Sequence, residues 1–165
     1  MSTPITAGQG PPDAADDVAG LCRAMAVRAQ TAGRALASAP GEQRDAALRA
    51  IADALAASSG ALQQANARDL EAGRAAGLAP AMLDRLELTD ARIASMVESV
   101  RQVAAQNDPL GRVLEGRVLP NGIRLQKVRV PIGVVLIIFE SRPNVTCDAA
   151  ALCLKSGNAV ILRGG

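Results

Sequence analysis

Two apolar runs in the last third of the chain, residues 134–139 and 159–162, constrain its fold more than any other feature. Neither run alternates polar with apolar residues, and strands covered by helices on both faces read this way. Between them stands the polar cluster Glu140-Ser141-Arg142-Pro143-Asn144, followed by a helix-forming stretch through about Lys155. Thr146 or Asp148 can cap that helix, Lys155 suits the dipole at its end, and Ser156-Gly157-Asn158 stops it. The pattern predicts a βαβ unit with a right-handed crossover. In open α/β sheets ligands bind beyond the carboxyl ends of strands. The residues after each run, 140–144 and 163–165, are therefore the first candidates for chemistry. Only Arg163-Gly164-Gly165 follow the second run, so the sheet is expected to be incomplete within this chain.

Upstream the chain reads as helices. Val18, Leu21, Met25, Ala29, Ala32 and Leu36 recur at three- and four-residue steps and predict a helix over about 13–38, with Asp13, Asp16 and Asp17 in its first turn. Ser38-Ala39-Pro40-Gly41 breaks it. Leu48, Ile51, Leu55 and Leu62 predict a second helix, with Ser58-Ser59-Gly60 as a weak point and Gly73 and Gly77 closing the stretch. A short helix around Met82, Leu83 and Leu86 follows. Thr89 is a suitable N-cap for a helix carrying Ile93, Met96, Val97, Val100 and Val103, which Asn107-Asp108-Pro109 ends. These stripes are expected to pack, not to react. Residues 112–115 and 123–130 read as short strands, with Leu119-Pro120-Asn121-Gly122 between them as a hairpin turn. Gly133 permits a bend or a close backbone approach before the first long run.

Composition narrows the chemistry. The 165 residues carry a net charge of +2, with a single Phe, no Trp, no Tyr and no His. Mixed charge and no aromatic platform argue against a nucleic-acid surface. Without histidine, and without a CxxC pair among Cys22, Cys147 and Cys153, the usual zinc sites and Ser-His-Asp arrangements are excluded and no metal is expected. The three thiols are expected to be free, as in a cytoplasmic protein, and to be buried and inert. No apolar run reaches the roughly 18 residues of a membrane span, and residues 1–14 read as a flexible tail with no basic or apolar leader features.

Neither a GxGxxG nor a GxxxxGK[ST] phosphate loop occurs. On local grounds Arg163 either meets a phosphate with its fork of donors or simply reaches solvent. Gly164-Gly165 fits an ordinary turn. Asn144 either donates to an oxygen that gains negative charge during acyl chemistry or ties down its own loop.

The segment KVRVPIGVVLIIFESRPNVTCDAAALCLKSGNAVILRGG resembles the gamma-glutamyl phosphate reductases (glutamate-5-semialdehyde dehydrogenases) of the aldehyde dehydrogenase superfamily. The resemblance extends through MLDRLELTDARIASMVESVRQVAAQNDPLGRVLEGRVLPNGIRLQ and AALRAIADAL, about residues 15 to 165. It implies an α/β, aldehyde-dehydrogenase-like fold: helices over 15–107, a β-hairpin over 108–130, and the first βαβ unit of a Rossmann-like NADPH-binding domain over 131–165. It implies NADPH-dependent reduction of gamma-glutamyl phosphate to glutamate 5-semialdehyde with release of phosphate, in proline biosynthesis. A cysteine thiolate attacks the acyl phosphate and expels phosphate, hydride reduces the thioester, and the thiohemiacetal collapses to the aldehyde. Asn144 matches the oxyanion donor of the superfamily's Pro-aromatic-Asn motif, although Pro143 here precedes it directly. Arg163 matches the strand-end lysine that contacts the adenosine ribose or its 2′-phosphate, with Pro143, Gly164 and Gly165 beside the cofactor. Arg142 and Ser141 are assigned to the substrate's phosphate or carboxylate. The nucleophile's position lies beyond Gly165, so the chain alone is expected to be inactive. Self-association and association with glutamate 5-kinase are the protein contacts to expect. Two other readings remain: the reductase part of a bifunctional pyrroline-5-carboxylate synthase, and a non-catalytic helical interaction module.

Overall fold

The computed structural model describes residues 14–140 and 142–164. The expected tail, the side chains of Asp13 and Asp16, and the candidate residues Ser141 and Gly165 lie outside the described residues. The elements in chain order are α1 (Ala14–Ser38), α2 (Gly41–Ala57), α3 (Ser59–Ala75), α4 (Pro80–Leu86), α5 (Asp90–Ala105), β1 (Val113–Val118), β2 (Arg124–Val128), β3 (Val134–Ile138), α6 (Pro143–Lys155) and β4 (Ala159–Arg163). The mixed α/β class is the expected one. The weak point at Ser58 is a full break that separates α2 from α3.

The core lies where α2, α5 and α6 meet. Leu48 and Ala52 of α2, Val97, Val100, Val103 and Ala104 of α5, and Ala151 of α6 form one buried cluster. The stripe expected on α5 is the stripe observed, and Thr89 caps the helix by accepting the Arg92 N–H at 3.2 Å. On α2 the buried face is Arg44, Leu48 and Ala52, and Ile51 is left 40% exposed. A four-residue step from Leu48 leads to Ala52, so small Ala52 permits the close approach of α5 while the larger Ile51 points aside.

Polar side chains fasten this core. Lys155, at the end of α6, is buried and donates to Asp45 Oδ1 at 2.5 Å and to the Ala104 carbonyl at 2.9 Å. It thus joins α6 to α2 and α5, a closer tie than the dipole partnership expected of it. Arg44 forms two bonds to the Asp108 carboxylate, at 2.8 and 2.7 Å, and a third to the Ala39 carbonyl. The Leu110 N–H donates to Asp108 at 3.0 Å. That bond first, against an opposing push from burial, and then the Arg44 charge hold the Asp108 carboxyl below its ordinary value of 3.8. The folded state therefore holds this proton more weakly than the unfolded chain. Its contribution to stability is present above the ordinary carboxylate range and is lost as pH falls through the lowered folded value. Thermal unfolding followed from pH 6 downward should show the midpoint dropping in acid, with a shallower drop in Asp108→Asn.

The two sheets are small. β1 and β2 form an antiparallel hairpin with a register shift between Val113 and Glu115. Its turn closes through the Gly122 N–H to the Leu119 carbonyl at 2.8 Å, with Pro120 and Asn121 at the corners and Gly122 at φ +84°. Asn-Gly thus shapes the turn, but at its last two positions. β3 and β4 are parallel, with Ile138 opposite Arg163. Gly133 before β3 adopts φ +119°, and its carbonyl comes within 3.2 Å of where a Cβ on Gly33 of α1 would stand. The bend and the close approach expected at Gly133 are both present.

Three burial expectations are corrected. β3 is not covered on both faces: Val134, Leu136 and Ile138 are exposed, and the helices on this sheet, α1 and α6, pack chiefly on β4. The first half of the α1 stripe, Val18, Leu21 and Met25, is also exposed, since no described element lies against it. Cys22 shares that half of α1 and is exposed too, whereas Cys153 is buried.

Candidate functional site

The candidate site forms where the α6 N-terminus meets the α4–α5 junction. Pro143 at the first helical position starts α6 ahead of both expected caps, Thr146 and Asp148. Proline's fixed φ suits that position, and its missing N–H falls where a helix has no acceptor to offer. Asn144 therefore stands in the first turn of α6 and not in a loop as expected. Arg142 occupies the N-cap position, with its own side chain making no cap bond. The first-turn N–H groups and the positive end of the helix dipole favour an anion here.

A cleft of about 320 Å³ opens in front of this turn. Arg142, Pro143 and Asn144 line one side, and Arg85, Glu87, Ser95 and Ser99 line the other. The Asn144 amide donates to Asp148 Oδ2 at 3.4 Å, a long bond within one helical turn that leaves the amide easily redirected. Among the described residues neither Arg85 nor Arg142 makes an ion pair.

The far wall is held from behind. Buried Asn66 of α3 donates to the Leu86 carbonyl at 2.8 Å and accepts the Leu88 N–H at 2.7 Å. Arg92 donates to the carbonyls of Asp84 and Glu87, the latter at 2.9 Å, and pairs with the Asp84 carboxylate at 3.2 Å. Residues 84–88 are thus clamped from two sides.

Arg163 and Gly164 do not line this cleft. Arg163 is exposed at the end of β4, and its carbonyl accepts the Phe139 N–H at 3.1 Å. Gly164 lies beside the Phe139 ring, where an added Cβ would make ordinary contact at 3.8 Å. The candidate residues thus fall into two groups at the carboxyl ends of adjacent parallel strands: 142–144 after β3, and 163–164 at the end of β4.

Neither of the cysteines near the site suits attack on a substrate. Burial, and then the Asp148 carboxylate, push the Cys147 thiol up from its ordinary value, and burial does the same for Cys153. Both stay protonated at neutral pH, and the thiolate is the nucleophile. The Arg85–Glu87–Ser95–Ser99 wall was not singled out in the sequence. Its only signal was two hydroxyls four residues apart on a helix, beside a charged turn.

No protein-family model matches the chain. Among curated proteins it is 58% identical over 150 residues to the gamma-glutamyl phosphate reductase of Rhodospirillum rubrum, covering 91% of this chain and 35% of that protein. It is 52% identical over 151 residues to that of Methylorubrum extorquens, covering 92% of this chain and 35% of that protein. Crystal structures of gamma-glutamyl phosphate reductases align with it as well. The Saccharomyces cerevisiae structure does so at a TM-score of 0.80 and 42% identity, over 83% of this chain and 35% of that one. The Thermotoga maritima structure does so at 0.82 and 39%, over 85% and 34%. The chain spans about a third of the length of the curated relatives it matches.

Proposed function

We infer, from the membership of these residues in the gamma-glutamyl phosphate reductase family, that the whole protein reduces gamma-glutamyl phosphate to glutamate 5-semialdehyde with release of phosphate. The observation that carries the reading is the high identity across the stretch that builds the cleft, together with the cleft's cationic and amide donors at a helix N-terminus. This chain's share of the work is binding and charge stabilisation. The Asn144 amide turns from Asp148 to the acyl oxygen as negative charge gathers there. The Arg142 guanidinium, assisted by the first turn of α6, neutralises the leaving phosphate. Residues outside this chain supply the nucleophile.

A nicotinamide dinucleotide supplies the hydride when bound. Arg163 fits such a ligand: an exposed guanidinium at the carboxyl end of a parallel strand suits a phosphate. Arg163→Ala in the whole enzyme should weaken NADPH binding more than NADH binding. Equal weakening, measured by titrating both cofactors, would remove the 2′-phosphate role.

The function itself is tested by purifying the full-length protein and following NADP reduction with glutamate 5-semialdehyde and phosphate. Phosphate-dependent turnover supports it. A folded protein with no such turnover, and none in the opposite direction with gamma-glutamyl phosphate, refutes it.

A further inference from the structure

The cleft has more recognition chemistry than the acyl phosphate needs. Its second wall combines two cations, Arg85 and Arg92, one anion, Glu87, and two hydroxyls, Ser95 and Ser99, four residues apart on one face of α5. Pro143 of α6 and the buried Met96 of α5 add apolar surface to the cleft. The α6 side thus offers an amide, a cation and the Asp148 carboxylate, and the α4–α5 side offers cations, an anion and hydroxyls. A glutamyl phosphate carries groups of matching kinds: an acyl phosphate, two methylenes, and a carboxylate and an ammonium on one carbon.

We propose that the α4–α5 wall is the subsite for the amino-acid head of the substrate. Arg85 receives the α-carboxylate with Ser95 and Ser99, and Glu87 receives the α-ammonium. This rests on the function proposed above and adds what selects the substrate's far end. Three observations favour it. Arg92, the other cation of this wall, is already engaged with the carbonyls and carboxylate of residues 84 and 87, which leaves Arg85 to meet a ligand. The backbone that presents Arg85 and Glu87 is fixed by Asn66 and Arg92, so little ordering remains for binding to cost. A carboxylate and an ammonium on one carbon demand opposite charges in one cleft, which Arg85 and Glu87 both line.

The test uses the full-length enzyme in the oxidative direction with three aldehydes. Glutamate 5-semialdehyde has both head groups, 5-oxopentanoate keeps only the carboxylate, and pentanal has neither. Arg85→Met is expected to lower the kcat/KM ratio of 5-oxopentanoate to pentanal by about 10- to 100-fold, the range for one lost bond to a charged group. Arg85→Lys should recover part of it. Glu87→Gln is expected to lower the ratio of glutamate 5-semialdehyde to 5-oxopentanoate by about tenfold. For an aldehyde too slow to follow, its inhibition constant gives the same ratio. Arg85 is exposed, so its replacement leaves the packed core intact. Equal losses for all three aldehydes would overturn the subsite. So would a raised KM for phosphate with the aldehyde ratios unchanged, which would place Arg85 on the phosphate instead. A wild-type enzyme inactive on glutamate 5-semialdehyde would refute the parent function, not the subsite alone.

Discussion

Asn144→Ala in the full-length enzyme is expected to reduce kcat by about 10²–10³-fold, the usual loss for one oxyanion donor, while NADPH affinity stays close to wild type. The expectation follows from where the residue stands. Asn144 is held in the first turn of a thirteen-residue helix whose other end is anchored by Lys155. Its position is therefore fixed by packing that the substitution does not touch. Its amide makes one long bond, to Asp148 at 3.4 Å, so turning it toward a developing oxyanion sacrifices little. The same weakness separates the two roles open to the residue. If Asn144 served only to order α6, the Asp148 bond would be its contribution, and an exposed bond of that length contributes little. A kcat loss below tenfold, in a protein with unchanged thermal stability, would assign Asn144 to local structure. Asp148→Ala distinguishes the two further: it removes the resting partner and should leave kcat within a few fold.

Lys155→Met is expected to destabilise the fold by about 3–5 kcal/mol, which for a chain of this size lowers the unfolding midpoint by roughly 10 °C. The Lys155 side chain is 5% exposed, and its ammonium makes two short bonds, one to a carboxylate and one to a backbone carbonyl. Methionine fills the volume but leaves Asp45 without its cation and the Ala104 carbonyl without its donor. Asp45 retains 24% exposure, so water meets part of the loss and the lower end of the range applies. Lys155→Met with Asp45→Leu should recover most of the stability, because replacing both partners removes the stranded charge. Calorimetry on the three proteins checks this. A midpoint shift below about 2 °C for the single variant would mean that the pair breaks even against its own desolvation.

Lys155 also shows why part of the fold could not be read from the sequence. A lysine at a helix end before Ser-Gly-Asn has a sufficient local explanation in the dipole. Its real partner, Asp45, is 110 residues away. Arg44, with Asp108 as partner, and Asn66, with the Leu86–Leu88 backbone, are the same case. Each is a polar side chain on a helix whose burial depends on a distant segment that no local pattern announces. By contrast α5 was fully legible, since five apolar residues at helical spacing and a threonine cap need no distant partner to be recognised. The apolar runs of β3 and β4 announced strands correctly but overstated their cover, because sequence records which residues can be buried, not which neighbours arrive. The site was half legible. Residues 142–144, singled out from a strand end, line the cleft, residues 163–164 do not, and the Arg85–Ser99 wall was missed because charged and hydroxyl residues on amphipathic helices look like ordinary solvent faces.

Helix α5 links these two halves physically. One face carries Ile93, Met96, Val97, Val100 and Val103 into the core, and the same rigid rod carries Ser95 and Ser99 into the cleft. Packed interiors shift as units and transmit small displacements, and about 1 Å of misplacement can cost on the order of a hundredfold in rate. A methyl group gained or lost at Val100 would thus move the cleft's serines without touching anything bound there. Under the proposed function, substrate choice would drift through exchanges among aliphatic residues in the interior, a route of divergence that a survey of cleft residues alone would overlook.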